Sequence, residues 1–438
     1  MQADKTTLDD LSIFAHDESQ SLLHHLDFTR TVGGREWLKH LLGKPLATLK
    51  EITETQQLLQ RIISVHDKWP QQISNGTIMV LEKFYETGLQ DIPNSPNAFS
   101  SFIYKIFNSA DYSLTKYSVV HFDEFIRGMH VIEELLQHED NPPLLQVIID
   151  RIHHLLHKPE LQKILQLNKE KKLSTAENLE QGYFFRRSFK HECFDLIDLY
   201  NRLDAYYSMA TACINFQYQF PDFIEAAQPL MHATQLYHPL LQTPVAYDIN
   251  LNPQQNFLFL TGANMAGKST FIKAVGVAAY LAHLGMAVPA AQMQITCMDG
   301  LLSNINVVDN IIKGESYFFN EVQRVRKTIE KISDGKKWLI LIDELFKGTN
   351  MIDAMKCSST VIEGLLKIHN SVFILSTHLY EIGESLKPFP NIQFRYFETD
   401  VKDDQLIFSY QLKEGVSNDR LGYLILKKEG VVELLEKL

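Results

Sequence analysis

Residues 257–270 read Phe-Leu-Phe-Leu-Thr-Gly-Ala-Asn-Met-Ala-Gly-Lys-Ser-Thr, an apolar run followed by two glycines and a lysine. Gly262–Ser269 fits the phosphate-binding pattern GxxxxGK[ST], between a strand-like run and a helix-forming segment, as that pattern requires. In such a loop, backbone N–H groups and the helix N-terminus bind phosphate oxygens. Lys268 would reach the β and γ phosphates, and the Ser269 hydroxyl would bind Mg²⁺. The predicted nucleotide-binding residues are Gly262, Asn264, Met265, Ala266, Gly267, Lys268, Ser269 and Thr270.

A second apolar run, Trp338-Leu-Ile-Leu-Ile, ends in the carboxylates Asp343 and Glu344. A buried strand would bring Asp343 to the Mg²⁺ of a bound nucleotide, and Glu344 could orient or deprotonate the attacking water. The alternative is an exposed acidic turn. The phosphate-binding loop upstream favours the catalytic interpretation.

Two further segments offer groups that can contact phosphate. Val372–Leu375 is an apolar run followed by Ser-Thr-His378, and a histidine at a strand end can sense a γ-phosphate, although a structural hydrogen bond is the commoner role. Residues 313–321, Lys-Gly-Glu-Ser-Tyr-Phe-Phe-Asn-Glu, place Ser316 at the start of a predicted helix. There its hydroxyl could bind an anion or simply cap the helix.

The composition limits the class of protein. The chain has 438 residues, of which 45% are hydrophobic and 22% charged, and this excludes a disordered chain, a collagen and a coiled-coil rod. Its 42 basic and 53 acidic residues give a net charge of −11, so a broad basic face for nucleic acid is not expected. Any contact with nucleic acid must therefore be local.

The chain changes character near residue 217. Residues 1–217 show apolar residues at helical spacing and are predicted to be all-helical, with a long uninterrupted helix within 183–220. From residue 218 onward, apolar runs alternate with helical segments, which is typical of a parallel α/β sheet. We predict two domains, 1–217 and 218–438, and a short amphipathic helix over 430–438.

Other features predict a cytoplasmic protein without a membrane partner. The 4 cysteines contain no CxxC pair, which suits a reducing compartment, and the acidic N-terminus lacks the apolar core of a secretory signal. The uncharged stretch Ala274–Ala291 is predicted to be a buried helix and a turn rather than a membrane span. His153 and His157 have i,i+4 spacing but no acid placed as in HExxH, so we predict a solvated helix face.

Taken in order, the four motifs resemble the ATPase domain of the MutS family of DNA mismatch-repair proteins. Residues 261–270 are similar to that family's TGPNMxGKST, with Ala263 in place of Pro. Residues 343–349 resemble DEIGRGT, with Phe346 and Lys347 in place of Gly and Arg. Ser-Thr-His378 resembles ATH, and residues 313–321 resemble SGxSTFxxE, with Tyr317 in place of Thr.

The resemblance extends into the helical half. Leu8–Phe14, Ser21–Asp27 and Thr31–Arg35 are similar to the start of the MutS core and lever domain, and His238-Pro-Leu resembles the entry to the ATPase domain. The similarity begins at the core domain, so the mismatch-reading and connector domains of the repair proteins are not expected.

The resemblance implies an ABC-like P-loop ATPase with a mainly parallel sheet and flanking helices, preceded by an all-helical core and lever domain. It implies Mg²⁺-dependent ATP hydrolysis by a head-to-head homodimer, in which Ser316 of one subunit contacts the γ-phosphate bound by the other. His378 would sense that phosphate. Tyr410 is predicted to stack on adenine, because Pro244 stands where the family often has an aromatic residue.

The implied process is DNA repair or a related DNA transaction, without a preference for mismatches. Lys169, Lys171 and Lys172 are candidate phosphate contacts, although a charge run is more often a solvated face. One alternative is an interaction protein that ATP switches between monomer and dimer, with little turnover and no DNA binding. An ABC-transporter ATPase subunit is disfavoured, because residues 313–321 lack LSGGQ.

Overall fold

A computed structural model of the chain describes residues 1–168, 172–305, 317–402, 405–417 and 431–436. Its helices are α1 (Lys5–Asp10), α2 (Leu22–Leu26), α3 (Val32–Leu42), α4 (Leu49–Val65), α5 (Asn75–Glu86), α6 (Ala98–Phe107), α7 (Ser109–Leu136), α8 (Pro143–Leu156), α9 (Pro159–Gln166), α10 (Thr175–Arg187), α11 (Lys190–Asn215), α12 (Lys268–His283), α13 (Tyr317–Ile332), α14 (Met351–Leu365), α15 (Glu381–Leu386) and α16 (Val431–Glu436). Its strands are β1 (Gln2–Ala3), β2 (Asp222–Phe223), β3 (Met231–Leu236), β4 (Tyr247–Leu251), β5 (Phe257–Thr261), β6 (Gln292–Ile295), β7 (Gly300–Asn304), β8 (Trp338–Asp343), β9 (Ser371–Ser376), β10 (Ile392–Lys402) and β11 (Gln405–Glu414).

The chain divides into two compact units. Unit 1 comprises Met1–His25, Lys44–Ile52 and Phe216–Leu438, and unit 2 comprises Leu26–Gly43 and Thr53–Asn215. The division at residue 216 lies next to the boundary expected from sequence. The prediction of one continuous helical domain over 1–217 is nevertheless wrong for Met1–His25 and Lys44–Ile52, because both segments belong to unit 1.

Unit 1 is built on a seven-stranded sheet with the strand order β1-β7-β8-β9-β5-β10-β11. Neighbouring strands are parallel except for the antiparallel pair β10 and β11. The central strands β5, β8 and β9 are buried at every position, which explains their unbroken apolar sequences. The predicted mainly parallel sheet is confirmed. A second sheet of four strands has the order β2-β6-β3-β4.

The N-terminal segment completes one edge of the large sheet. Gln2 and Ala3 of β1 pair in parallel with Gly300 and Leu301 of β7, so the expectation that residues 1–217 are all-helical is wrong at this strand. Two residues are too few for an alternating pattern to be visible in sequence. In α1, the buried Asp10 accepts hydrogen bonds from Ser303 Oγ at 2.6 Å and Ile305 N at 3.0 Å.

Replacing Asp10 by alanine should lower the free energy of unfolding by about 2 kcal/mol, because two buried donors at the end of β7 lose their acceptor. Urea denaturation monitored by circular dichroism measures the change. Asp9→Ala is the matched control, since Asp9 is the exposed neighbour in the same helix. Equal stabilities of the two variants would contradict the structural role of Asp10.

Unit 2 is helical and packs around aromatic side chains. The rings of Phe122 and Phe185 stack with centroids 4.2 Å apart, and both are fully buried. The long helix predicted within 183–220 is confirmed as α11, and a break at Ser188–Phe189 separates it from α10, which ends at Arg187. The break occurs where the fully buried Phe189 packs its ring against that of Phe184, at 5.6 Å between centroids.

The Thr31–Arg35 motif has a structural role, because it packs against Asp204 on α11. This fully buried carboxylate accepts hydrogen bonds from the backbone N–H of Arg30 and Thr31, both at 3.0 Å, and from Thr31 Oγ1 at 2.8 Å. Burial raises the pKa of Asp204, although the hydrogen bonds from Thr31 and Arg30 oppose that shift. A Cβ atom at Gly34 would lie 2.1 Å from Asp204 Oδ2, so glycine permits the close approach of α3 to α11.

Within the described ranges, none of the helices combines the length and the apolar composition that a membrane crossing requires. The first part of the uncharged stretch Ala274–Ala291 belongs to α12, which ends at His283. A turn follows at 284–285. The prediction of a buried helix followed by a turn is confirmed.

Candidate functional site

The phosphate-binding loop connects β5 to α12 and contains two glycines in backbone conformations that other residues rarely adopt. Gly262 has φ 140° and Gly267 has φ 108°. A Cβ atom at Gly262 would also lie 3.1 Å from the carbonyl oxygen of Phe397. Gly267 is the N-cap of α12, so the helix N-terminus opens directly into the loop.

Lys268 is folded back over this loop. Its ammonium group is buried and donates hydrogen bonds to the carbonyl oxygens of Gly262 at 2.8 Å and Ala263 at 2.9 Å. Burial lowers the pKa of Lys268, while the nearby carboxylates of Glu344 and Asp343 oppose the shift. A bound phosphate would therefore offer this cation stronger partners than the two neutral carbonyl groups that it now contacts.

Asp343 at the end of β8 is held by two hydroxyl groups. Ser269 Oγ donates to one carboxylate oxygen and Ser376 Oγ donates to the other. Asp343 is buried, and the two residues predicted to bind Mg²⁺ are therefore in direct contact. A hydroxyl beside an acceptor-only carboxylate matches the oxygen ligands that Mg²⁺ prefers, so the residues fit this ion.

Glu344 follows β8 in a left-handed backbone conformation with φ 62°, and its backbone N–H donates to the carbonyl oxygen of Ser376 at 3.0 Å. Its Oε2 lies 3.1 Å from Lys347 Nζ and 3.6 Å from His378 Nδ1. Burial by itself would raise the pKa of Glu344, but the adjacent His378 and Lys347 outweigh it and lower the pKa to about 2. The carboxylate is thus ionised throughout the neutral range.

β9 lies between β5 and β8, and this order brings His378 to the site. Because the three strands are parallel, their carboxyl ends meet at one edge of the sheet. The backbone N–H of Thr377 donates to the carbonyl oxygen of Leu260 at 2.9 Å, which fixes the strand end beside the phosphate-binding loop. His378 itself is half-exposed and faces Glu344.

Glu321 on α13 supports the segment after Glu344, a role that the sequence did not reveal. Its buried carboxylate accepts hydrogen bonds from the backbone N–H of Lys347 and Gly348, both at 3.3 Å. Burial raises the pKa of Glu321, and these backbone donors oppose the shift. Phe346 has φ 61° where the related motif has glycine, and its buried ring packs against Phe318 with centroids 5.7 Å apart.

A cleft of about 430 Å³ opens beside the loop. It is lined by predicted site residues, namely Asn264, Met265, Gly267, Lys268, Ser269, Thr270, Glu344 and Tyr410. Gly262, Ala266 and Asp343 lie in or directly beside this loop without lining the cleft. His238 and Tyr247 also line it and were missed as site residues, because only the fold brings β4 and the segment after β3 to the loop.

Three residues that were predicted to act lie outside the described residues. They are Ser316, which was expected to contact a γ-phosphate, and Lys169 and Lys171 among the candidate DNA contacts. Lys172, the remaining candidate, is exposed.

Comparison with known proteins identifies a matching domain family and several relatives. The family model of MutS domain V matches residues 258–435. The DNA mismatch repair protein MutS of Petrotoga mobilis is 27% identical over 240 residues, which cover 54% of this chain and 29% of that protein. The DNA mismatch repair protein msh3 of Aspergillus fumigatus is 26% identical over 282 residues, which cover 61% of this chain and 25% of that protein.

MutS protein homolog 4 of Homo sapiens is 28% identical over 241 residues, which cover 52% of this chain and 25% of that protein. The chain therefore spans less than a third of the length of these relatives. Domain V is the ATPase domain of MutS proteins, and its match includes the phosphate-binding loop, both carboxylates and His378. Residues 258–435 of this chain are thus similar to the ATPase domain of the MutS family.

Proposed function

We propose that this protein is a Mg²⁺-dependent ATPase of the MutS type with an ABC-like P-loop domain. The observation that carries the proposal is the meeting of Lys268, the Ser269–Asp343 pair and Glu344 at one edge of the parallel sheet. Steady-state phosphate release with and without Mg²⁺ tests the proposal. Release that is absent, or that does not depend on Mg²⁺, would contradict it.

The proposed chemistry follows from the contacts of each side chain. Lys268 exchanges its two carbonyl partners for the β and γ phosphates, and the loop's N–H groups bind the remaining oxygens. Mg²⁺ held by Ser269 and Asp343 would neutralise charge that develops on the phosphates. Glu344 faces the water that attacks the γ-phosphorus, and ADP leaves as the bond to the bridging oxygen breaks.

The low pKa of Glu344 favours a particular role for this carboxylate. General-base catalysis is most efficient when the pKa of the base lies near the working pH, whereas that of Glu344 is about 2. We infer that Glu344 mainly orients the water and receives its proton late, as the new bond to phosphorus forms. His378 Nδ1 lies 3.6 Å from Glu344 Oε2. By contacting both the γ-phosphate and Glu344, His378 would make the position of this carboxylate depend on whether the γ-phosphate is bound.

We further propose that the active form is a homodimer with shared ATP sites. The support is the similarity of residues 313–321 to the MutS segment whose serine acts on the nucleotide of the partner subunit. In this proposal Ser316 contacts the γ-phosphate bound by the other copy. Sedimentation of the protein with a non-hydrolysable ATP analogue tests for dimer formation, and a monomer at saturating nucleotide would contradict it.

Tyr410 is proposed to stack on adenine, because its half-exposed ring lines the cleft near Gly267. Tyr410→Ala should raise the Kd for ATP about fivefold, since aromatic stacking contributes about 1 kcal/mol beyond burial. Tyr410→Phe keeps the ring and should bind as the unchanged protein does. Calorimetric titration measures both affinities, and an unchanged Kd for the alanine variant would exclude the stacking role.

We propose that the protein acts on DNA and binds it mainly through phosphates, with little preference for mismatches. The support is the relatedness to DNA mismatch repair proteins together with the exposed Lys172. Affinity should fall steeply with salt concentration, because each neutralised phosphate releases counterions. A salt titration with matched, mismatched and branched DNA tests this. A preference for mismatches above about tenfold would contradict phosphate-dominated binding, because a mismatch is worth about 1–3 kcal/mol.

The same experiment separates the DNA proposal from an alternative that the net charge of −11 favours. In that alternative, ATP switches an interaction between protein subunits and DNA is not bound. ATP binding and dimer formation without any DNA affinity at low salt would support the interaction switch instead.

A further inference from the structure

Three histidines surround one carboxylate on α7 and α8, within unit 2. His130 and Glu133 belong to α7, His153 belongs to α8, and His157 caps the C-terminus of α8. Residues four apart on a helix share one face, which explains why His153 and His157 point to the same place. Their rings lie 3.6 Å apart between centroids with an angle of 30° between the ring planes.

Glu133 is the centre of this cluster. Its side chain is only 7% exposed, and Oε1 lies 2.6 Å from His153 Nδ1 and 3.8 Å from His157 Nδ1. The second oxygen, Oε2, lies 3.3 Å from His130 Nδ1. A buried carboxylate needs a cation or several hydrogen-bond donors to offset its desolvation. The three histidines can supply hydrogen-bond donors to Glu133, and a divalent ion would in addition supply positive charge at neutral pH.

The spacing of the three inner atoms suits a small tetrahedral ion. Zn²⁺ binds histidine nitrogen and carboxylate oxygen at about 2.0–2.1 Å, which places neighbouring ligand atoms roughly 3.3 Å apart. The two distances from Oε1 to the histidine nitrogens, 2.6 Å and 3.8 Å, bracket that value. One potential ligand atom from each of Glu133, His153 and His157 lies within 4.8 Å of the others.

We propose that Glu133, His153 and His157 form a Zn²⁺ site in the helical unit. His130 orients the carboxylate from its other side, as outer hydrogen-bond partners of metal ligands commonly do. His157 Nδ1 gives up its present 3.0 Å contact with the backbone oxygen of His153 to bind the ion. Both histidines are about half exposed, so the ion can enter from solvent and water can fill the fourth position.

The donor set distinguishes this site from the Mg²⁺ site proposed in unit 1. Two imidazoles and one carboxylate favour a transition ion such as Zn²⁺, whereas Mg²⁺ prefers oxygen ligands throughout. The ion would link α7 to the end of α8 and so stabilise unit 2. Sequence spacing alone could not reveal the site, because the acidic ligand comes from the preceding helix.

The test uses the full chain without an affinity tag, treated with a chelator, dialysed and titrated with ZnCl₂ in excess Mg²⁺. We expect one Zn²⁺ per chain and a rise in Tm of about 5 °C at a hundredfold excess over Kd. The double variant His153→Ala/His157→Ala should lose the rise in Tm and bind Zn²⁺ more than about tenfold more weakly. Both replaced side chains are substantially exposed, so the fold should tolerate the change.

His154→Ala is the matched control, because His154 is an exposed neighbour on the same helix. It should bind Zn²⁺ with the affinity of the unchanged protein. Glu133→Gln should weaken Zn²⁺ binding as the double variant does, since it removes the charge and keeps the shape. Zn²⁺ binding that is equal in the double variant and the unchanged protein, or equally weakened by His154→Ala, would overturn the proposal.

Discussion

Lys268→Ala is expected to reduce ATP affinity at least about a hundredfold. The ammonium group is buried beside the loop, and a charge-assisted contact to phosphate contributes up to about 3 kcal/mol. The alanine variant also leaves the carbonyl groups of Gly262 and Ala263 facing the phosphates without a cation between them. Calorimetric titration with ATP and Mg²⁺ measures the loss.

Lys356→Ala is the control for Lys268→Ala, since Lys356 is an exposed lysine on α14 of the same unit. It should bind ATP with unchanged affinity. Circular dichroism should show that both variants fold. Retention of full affinity by the Lys268 variant would refute the assignment of residues 262–269 as the phosphate-binding loop.

Glu344→Gln is expected to bind ATP and to hydrolyse it at least about a hundredfold more slowly, the usual size of the effect when a positioned proton acceptor is lost. The amide keeps the size of the side chain but removes the charge that now faces Lys347 and His378. Because chemistry is blocked while binding persists, the variant should accumulate in its ATP-bound form. Single-turnover phosphate release separates the two steps.

Glu363→Gln provides the corresponding control, because Glu363 is exposed on α14. Its turnover should equal that of the unchanged protein. If Glu344→Gln turned over at the normal rate, the water-orienting carboxylate would have to be sought elsewhere in the cleft. If it failed to bind ATP, Glu344 would be needed to hold the loop open for nucleotide.

The site could be located from sequence because its parts stand at the ends of apolar runs. β5, β8 and β9 are buried on both faces, and this burial makes their sequences continuous and easy to recognise. In a parallel sheet the residues after such runs must meet at one edge. The amino-acid sequence alone therefore suffices to group Lys268, Asp343 and His378.

The remaining parts of the site depend on contacts between residues far apart in the chain, which local sequence patterns do not predict. The Glu321 carboxylate accepts hydrogen bonds from the backbone N–H groups of Lys347 and Gly348. Because almost every residue has a backbone N–H, such a contact does not depend on the side chains at 347 and 348 and cannot be predicted from them. Phe346 occupies a left-handed conformation that costs of order 1 kcal/mol, which burial of its ring against Phe318 offsets. Tyr247 reaches the cleft only because β4 pairs in the second sheet.

The pairing of β1 with β7 has a consequence for folding on the ribosome. Gln2 can pair only after Gly300 has been synthesised, roughly 300 residues later. At a translation rate of about 5–20 residues per second, this interval lasts about 15–60 seconds. The residues of the helical unit are all synthesised within that interval and can fold while the N-terminal strand is still unpaired. Until β7 emerges, Gln2 and Ala3 lack the strand with which they pair, so this edge of the large sheet is among the last parts of unit 1 to form.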